Sequence, residues 1–460
     1  MIHISHDRTK NRQQLPGARV AVLGAARSGI SVALLLAQSG SAVLLSEVKD
    51  RSALSLPMEE IFRHSIQLET GGHSDALLDS DLICISPGLP LDLPILQKAR
   101  EKGIPVVGEL EVASWFCPAP IIAVTGSNGK TTTTALTGSI LKQFTPTTIV
   151  AGNIGMPFSR YVQNLTSDGL AVLEVSSFQL ETIYSFHPHI AVIMNLTANH
   201  LDRYADFEDY ARAKLNILKN MENEDILIYN GDDPYLRKTI SAVAPRAMVF
   251  SQNAHESEGA YREENSLIIN YQNKRIAIAV AKTHLRGAHN YYNMMAAALI
   301  AVIRGVPEDI IQRQIEQFPG VEHRLEVVRK LNGVIFVNDS KATTIDSLAW
   351  ALRSFKEPII LIAGGKYKGG DFSELNPLLK NKVRLAVLIG QAAERMAQSW
   401  QGVIPVQHAG SLGEAVNLAY AEAQSGDVVL LSPACSSFDM FSDYEDRGRK
   451  FKELVARLSA

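Results

Sequence analysis

The chain has 460 residues, a formal net charge of −3 and three cysteines. At roughly 100 to 200 residues per domain, this length implies several domains, each able to bury its own core. Acidic and basic residues are mixed without a basic stripe, which argues against nucleic acid as a partner; Cys84, Cys117 and Cys435 are too scattered for a disulfide framework or a zinc knuckle, which fits a reducing, cytoplasmic location.

The opening stretch MIHISHDRTKNRQQLPGARV is polar and has no apolar signal core, so ten or more residues at the start are expected to be disordered. A first strand-and-helix alternation follows: Arg19-Val20-Ala21-Val22-Leu23, the turn GAARSG (24–29), a helical ISVALLLAQSG, the strand AVLLSE, and LICISPG (82–88). The turn is a weak match to a dinucleotide fingerprint: Glu47 supplies the acidic residue about twenty positions on, but Ala26 replaces the middle glycine. On spacing alone it is either a nucleotide contact or a structural turn.

The second block opens on AVTGSNGKTTTT (123–134). The phosphate-loop pattern G-x-x-x-x-G-K-[ST] puts its first glycine at position 124, where this chain has Val124. The local physics still favours a phosphate site. A β-branched run, Ile121 to Val124, leads through a tight turn into a threonine-rich helix, which aims backbone N–H groups and a helix N-terminus at one point. Gly126 and Gly129 permit close approach, Lys130 can reach terminal phosphates, and the Thr131 hydroxyl is placed for Mg²⁺. Downstream, Glu174 ends the strand LAVLE, His200 follows IAVIMNLT, and Lys214 lies in the helical DFEDYARAKLNILKN. A carboxylate and an imidazole at strand ends suit a metal beside phosphates, although a buried structural histidine and a solvated lysine are the plainer readings of His200 and Lys214 taken singly. The longest apolar stretch, MMAAALIAVI (294–303), is too short to span a bilayer, and no membrane insertion is expected.

The third block holds GVIFVNDS, PIILIAGG, RLAVLIG and DVVLLSPA, strands that end in Ser, Gly or Asp. In open α/β sheets ligands bind at the carboxyl ends of strands, so the polar ends of all three blocks are candidate sites. Domain boundaries are expected near residues 111 and 320, the second at the break Pro319-Gly320, giving 1–111, 112–319 and 320–460.

In chain order, TGSNGKTT, GNIG (152–155), LEVSSFQLE (173–181), NLTANHLDRY (195–204), ARAKLNIL (211–218), HNYYN (289–293), HRLE (323–326), NDSKATT (338–344), GGKYKGGDF (364–372) and SPACSSFDMFSDYEDRG (432–448) resemble the motifs of the Mur ligase family. That family writes its loop T-G-x-N-G-K-[ST] and dispenses with the first glycine. Several of these motifs are shared with folylpolyglutamate synthases, but such an enzyme would lack the N-terminal nucleotide domain. DSKATT and SPACSSFD resemble the branch that adds D-glutamate, and no D-N-P-R type motif of the diaminopimelate-adding branch is found.

The resemblance implies an α/β chain of three domains: a Rossmann-like N-terminal domain, a central P-loop ATPase-like domain with a mainly parallel sheet, and a Rossmann-like C-terminal domain. It implies ATP-dependent amide bond formation through an acyl phosphate, on UDP-N-acetylmuramoyl-L-alanine and D-glutamate, by a monomer. ATP would be held by Gly126, Ser127, Asn128, Gly129, Lys130, Thr131, Thr132, Asn293, Arg324, Asp339 and Lys341, between the middle and last domains. Thr131, Glu174, His200 and Lys214 would serve two Mg²⁺ sites, with Lys214 carbamylated, and Lys130, Glu174, His200 and Lys214 would be the catalytic set. Arg27, Ser28, Glu47, Ser86, Pro87, Gly88 and Asn153 would bind the UDP substrate, and Thr343, Lys368, Ser437 and Tyr444 the D-glutamate.

Overall fold

The computed structural model describes residues 1–54, 56–197, 203–240, 246–285, 287–367 and 369–459. The chain divides into two compact units, one of residues 1–282 with 291–316, the other of residues 283–290 with 317–460. Among the described residues the first unit holds two sheets and the second holds one.

The N-terminal sheet has five parallel strands in the order Gln67–Thr70, Ala42–Glu47, Arg19–Leu23, Leu82–Ile85, Val106–Gly108. The middle sheet has nine strands. Six are parallel neighbours, Ala247–Ser251, Ile226–Asn230, Ile190–Ile193, Ile121–Thr125, Leu170–Glu174 and Thr148–Gly152, and the strand Gly259–Glu263 joins them in parallel before a meander through Ser266–Tyr271 and Lys274–Ala279. In the second unit the order is Glu326–Leu331, Val334–Asn338, Val428–Leu431, Ile359–Gly364, Val383–Ile389, Val406–His408, parallel except for the antiparallel first strand. The architecture is the expected three-domain α/β arrangement.

The inner strands are apolar on both faces, as parallel strands covered by helices must be. All five residues of Ile121–Thr125 and of Leu170–Glu174 are buried. One hydrophobic cluster runs from Val22 and Leu36 of the N-terminal domain through Leu110 and Trp115 to Phe158, Leu173 and Ile193 of the middle domain, so the two domains share a core. The six-stranded sheet is packed on both faces, around Leu361 and Trp400 on one and Phe336 and Phe451 on the other.

The start of the chain departs from the expected disorder. Ile2 and Leu15 are buried, and Asn11, on the helix Arg8–Gln13, is fully buried with its amide donating to the Ser5 carbonyl at 2.7 Å and the Ser185 hydroxyl at 3.2 Å. A polar composition concealed this because the polar group that is buried is also satisfied. Among the described residues no helix is long and apolar enough to cross a membrane.

Candidate functional site

The strand order of the middle sheet creates the site. Ile121–Thr125 lies between Ile190–Ile193 and Leu170–Glu174, with Val124 opposite Glu174 and Thr125 opposite Ile193. Three polar segments therefore leave adjacent carboxyl ends side by side.

The first segment is the phosphate loop. Gly126 has φ 140° and Gly129, which caps the helix Lys130–Lys142, has φ 85°. A Cβ at Gly129 would stand 2.4 Å from Asn293 Oδ1, and one at Gly126 would stand 2.9 Å from Met194 Cβ. Asn195 pins the loop: its side chain accepts from Asn128 N at 2.8 Å and donates to Asn128 O at 3.1 Å, while its carbonyl accepts from Ser127 N at 2.8 Å. Ser127 Oγ meets Tyr210 OH at 2.9 Å and donates to Thr197 O at 3.0 Å. Lys130 Nζ donates to the carbonyls of Gly126 and Ser127 at 2.7 and 2.9 Å, which holds its ammonium over the loop. Thr131 and Thr132 are buried behind it. Gly129→Ala is expected to destabilise the fold by about 1–3 kcal/mol, because the new methyl meets Asn293 in a conformation L residues rarely adopt. Chemical denaturation checks this, and unchanged stability would mean that the loop does not need its left-handed residue.

Glu174, 1% exposed, lies at the end of the next strand. Its Oε1 accepts from Asn153 Nδ2 at 2.7 Å, and its carbonyl accepts from Asn153 N at 2.8 Å. Lys214, on the helix Phe207–Leu215, is 2% exposed, with Nζ 4.9 Å from the centre of the Tyr210 ring. Burial pushes its amine well below the usual lysine range; nearby Lys130 adds to the depression and Glu174 opposes it. The fold thus gathers Lys130, Thr131, Glu174 and Lys214, whereas His200 falls outside the described residues.

A cleft of about 360 Å³ extends from this region into the N-terminal domain. All seven residues singled out for the UDP substrate, Arg27, Ser28, Glu47, Ser86, Pro87, Gly88 and Asn153, line it. Gly152, Gly155, Pro157 and Gln179 complete the middle-domain wall. The GAARSG turn proves to be both a structural device and part of this lining. Glu47 Oε2 accepts from Ala25 N at 2.8 Å and Ser86 Oγ donates to Gly24 O at 3.1 Å, which buckles the turn to the neighbouring strands. A Cβ at Gly29 would stand 1.7 Å from Gly24 O, so this glycine is required; Ala26, as the extended N-cap residue of the helix Arg27–Gln38, needs no such freedom.

Of the residues assigned to ATP, Asn293 lies at the phosphate loop, where its Oδ1 accepts from Thr133 Oγ1 at 3.2 Å; Arg324, Asp339 and Lys341 belong to the second unit. There, Asp339 follows the strand Val334–Asn338 and accepts from Ser432 Oγ at 2.8 Å and Leu325 N at 3.2 Å. Burial pushes its carboxyl up to about 7, against the pull of Arg324. Lys341 Nζ sits 5.6 Å over the Tyr444 ring. Two loops are laced together: Ala434 N donates to Ala342 O at 2.9 Å, and fully buried Arg447 donates to Ser340 O at 2.8 Å and Cys435 O at 3.2 Å. This holds Thr343, the buried Ser437 and Tyr444 on connected segments. Lys368 lies outside the described residues, but Lys366 of the same loop is bridged to Ser436.

Sequence reasoning missed Asn195, Gln179 and Arg447. Each lies inside a motif quoted above, but which of a motif's polar residues turns inward depends on the fold. Glu322, His323 and Glu326 also cluster, but Lys452 Nζ already bonds both carboxylates, at 3.0 and 2.7 Å.

Three family models match the chain in order: the MurD-like N-terminal domain over residues 18–108, the Mur ligase middle domain over 124–301, and the Mur ligase glutamate ligase domain over 323–435. A UDP-N-acetylmuramoylalanine–D-glutamate ligase of Salinibacter ruber is 42% identical over 96% of this chain and 98% of its own length. A protein of the same name from Koribacter versatilis is 43% identical over 96% and 98%. Among solved structures, UDP-N-acetylmuramate-alanine ligase MurC from Thermotoga maritima matches with a TM-score of 0.62 at 19% identity, covering 95% of this chain and 99% of that one. MurF ligase from the same organism, in complex with ADP, matches with a TM-score of 0.60 at 18% identity, covering 91% and 96%. With three domain models in the expected order and identity above 40% over nearly its whole length, the chain belongs to the Mur ligase family.

Proposed function

We propose that the chain is an ATP-dependent ligase that joins D-glutamate to UDP-N-acetylmuramoyl-L-alanine, releasing ADP and phosphate, in the synthesis of peptidoglycan precursors. One observation carries the reading. The cleft that begins at the glycine turn reaches Asn153, and Asn153 is hydrogen-bonded to Glu174 beside the phosphate loop. A uridine nucleotide lying in that cleft would bring the far end of its substituent to the place where ATP phosphates are received.

The chemistry follows from that juxtaposition. The alanyl carboxylate attacks the γ-phosphorus of ATP, the bond to the ADP oxygen breaks, and an acyl phosphate forms. The D-glutamate amine then attacks the activated carbonyl, loses a proton, and the tetrahedral intermediate expels phosphate. The first step brings two anions together, so charge must be screened at the reacting oxygens. Lys130 would move from its two loop carbonyls to the phosphates, and the loop N–H groups would hold the β- and γ-oxygens. Asn153 would orient the carboxylate end of the substrate.

The donors present fit Mg²⁺, a hard cation that takes oxygen ligands: the Thr131 hydroxyl and the Glu174 carboxylate are both buried at the loop. Bound there, the metal supplies neutralisation of the developing phosphate charge. A lysine ammonium does not fit such a site. We assign Lys214 as a carbamate, formed when its neutral amine attacks CO₂ and loses a proton, which turns the side chain into an oxygen ligand beside a second Mg²⁺ with Glu174 and His200. Thr343, Lys368, Ser437 and Tyr444 would hold the D-glutamate. Arg324, Asp339 and Lys341 would complete the ATP site. The buried free thiols of Cys84, Cys117 and Cys435 support a reducing cytoplasm, and we take the working unit to be a monomer.

Phosphate release from ATP, measured with UDP-N-acetylmuramoyl-L-alanine and each amino acid in turn, tests the reading. D-glutamate is expected to support turnover and L-glutamate to be poorer by roughly 10²-fold or more, since inversion at the α-carbon cannot place the amine and both carboxylates on the same partners. Efficient use of L-glutamate would favour a folate-type ligase. Lys368→Ala should raise KM for D-glutamate selectively.

A further inference from the structure

We infer that Glu109 is a positioning residue for the uridine-nucleotide substrate, holding one wall of the cleft through the backbone of Ser159. The inference rests on the proposed reading of that cleft.

Glu109 begins the helix Glu109–Trp115, which follows directly from the last N-terminal strand, Val106–Gly108, and whose seven residues are all buried. The chain is fixed against the middle domain at several points here. Gly108 N donates to Thr182 O at 3.3 Å, and a Cβ on Gly108 would stand 2.3 Å from Thr182 Oγ1. Glu111, fully buried, accepts from Tyr184 N and Phe186 N at 2.9 Å on one oxygen, and from Ser185 N at 2.8 Å and Trp115 Nε1 at 2.9 Å on the other. The Ser185 hydroxyl donates to the second oxygen as well, at 2.5 Å, so this carboxylate is fully satisfied and fixes the helix on the segment 184–186.

The register of the helix is therefore set without Glu109, yet Glu109 is also 1% exposed. Its Oε1 accepts from Ser159 N at 2.7 Å. Ser159 stands two residues beyond Pro157, which lines the cleft with Gly152, Asn153 and Gly155. This wall is tied at its other end where Asn153 N donates to Glu174 O, so it is a short loop clamped at both ends. A side chain needed only for packing would be apolar; burial pushes the Glu109 carboxyl toward its neutral acid, and its Oε1 still serves as the acceptor for Ser159 N. Here that oxygen fixes how far the wall stands from the N-terminal lining residues Arg27 and Glu47.

The test begins with calorimetric binding of UDP-N-acetylmuramoyl-L-alanine to the wild-type chain, and absence of binding would overturn the reading of the cleft rather than the role of Glu109. Given binding, Glu109→Gln keeps an oxygen for Ser159 N–H and should leave every KM within about twofold, whereas Glu109→Leu removes the acceptor and should raise KM for the uridine substrate about tenfold, with KM for ATP and kcat at saturation within about twofold. Equal rises in both KM values, an unchanged leucine variant, or a glutamine variant as poor as leucine would each overturn the inference. If the leucine variant does not fold, Glu109→Asp, whose shorter arm withdraws the carboxylate from Ser159, should show the same selective rise, and an unchanged value would overturn it.

Discussion

Lys130→Ala is expected to lower kcat by about 10²–10³-fold while leaving thermal stability close to wild type, the range found when one preorganised charge or donor is removed from a site of charge development. In the structure its ammonium rests on the carbonyls of Gly126 and Ser127 at 2.7 and 2.9 Å, at the mouth of the loop and not in the core. On the proposed reading those contacts would be exchanged for phosphate oxygens on ATP binding, so the folded state would lose little without them. The transition state loses a cation placed against the transferring group. Lys130→Arg should recover only part of the rate, since a planar guanidinium cannot rest as a point charge between two carbonyls and then swing to a phosphate. ATP-dependent phosphate release with both substrates saturating measures the effect. A loss confined to KM for ATP would show that Lys130 binds the ground state and transition state alike, and would remove it from the catalytic set.

The strand, turn and helix of the expected phosphate loop are legible despite the missing glycine, and the structure supplies the reason. Val124 is the fourth residue of a fully buried strand, paired with Glu174 and Val192, where a β-branched side chain belongs. The positions that need special backbone are Gly126 and Gly129, and both are present. The glycine turn at 24–29 could be read only as an even choice, because spacing does not reveal that Glu47 braces Ala25 while also facing the cleft. The antiparallel strand Glu326–Leu331 was overlooked although Asn332-Gly333 marks its hairpin; both residues have positive φ, at 50° and 80°, as a two-residue turn of that kind requires. Glu109 and Glu111 were passed over because they fall at an expected domain boundary, where acidic residues read as solvated linker. Their backbone partners lie 50 and 73 to 75 residues further on, and no local pattern announces a carboxyl group whose donors come from so far away.

Lys214→Ala and Lys214→Arg are expected to be equally poor, each losing about 10³-fold or more in ligation, the scale of losing a group that stabilises transition-state charge. An ordinary helix lysine would predict the opposite for arginine, which keeps the charge and most of the length. The burial of Lys214 and the nearby Lys130 both oppose a second ammonium, against the pull of Glu174, which favours the neutral amine that a reaction with CO₂ requires. Carbamylation changes the side-chain charge from +1 to −1 and replaces a repulsion toward Lys130 with an attraction. Arginine can neither lose its proton nor form the carbamate, and its guanidinium would restore the cation that the site disfavours. Alanine leaves a space that a short carboxylic acid can enter, so acetate should restore part of the activity of Lys214→Ala and none of that of Lys214→Arg, where the side chain fills the space. Lys214→Ala should keep its fold, because the contact of Tyr210 with Tyr204 and its hydroxyl contact with Ser127 do not involve the lysine, and thermal unfolding of both variants separates a lost fold from a lost ligand. Activity near wild type in Lys214→Arg would make Lys214 a structural cation and remove the proposed carbamate and, with it, the oxygen ligand of the proposed second metal site.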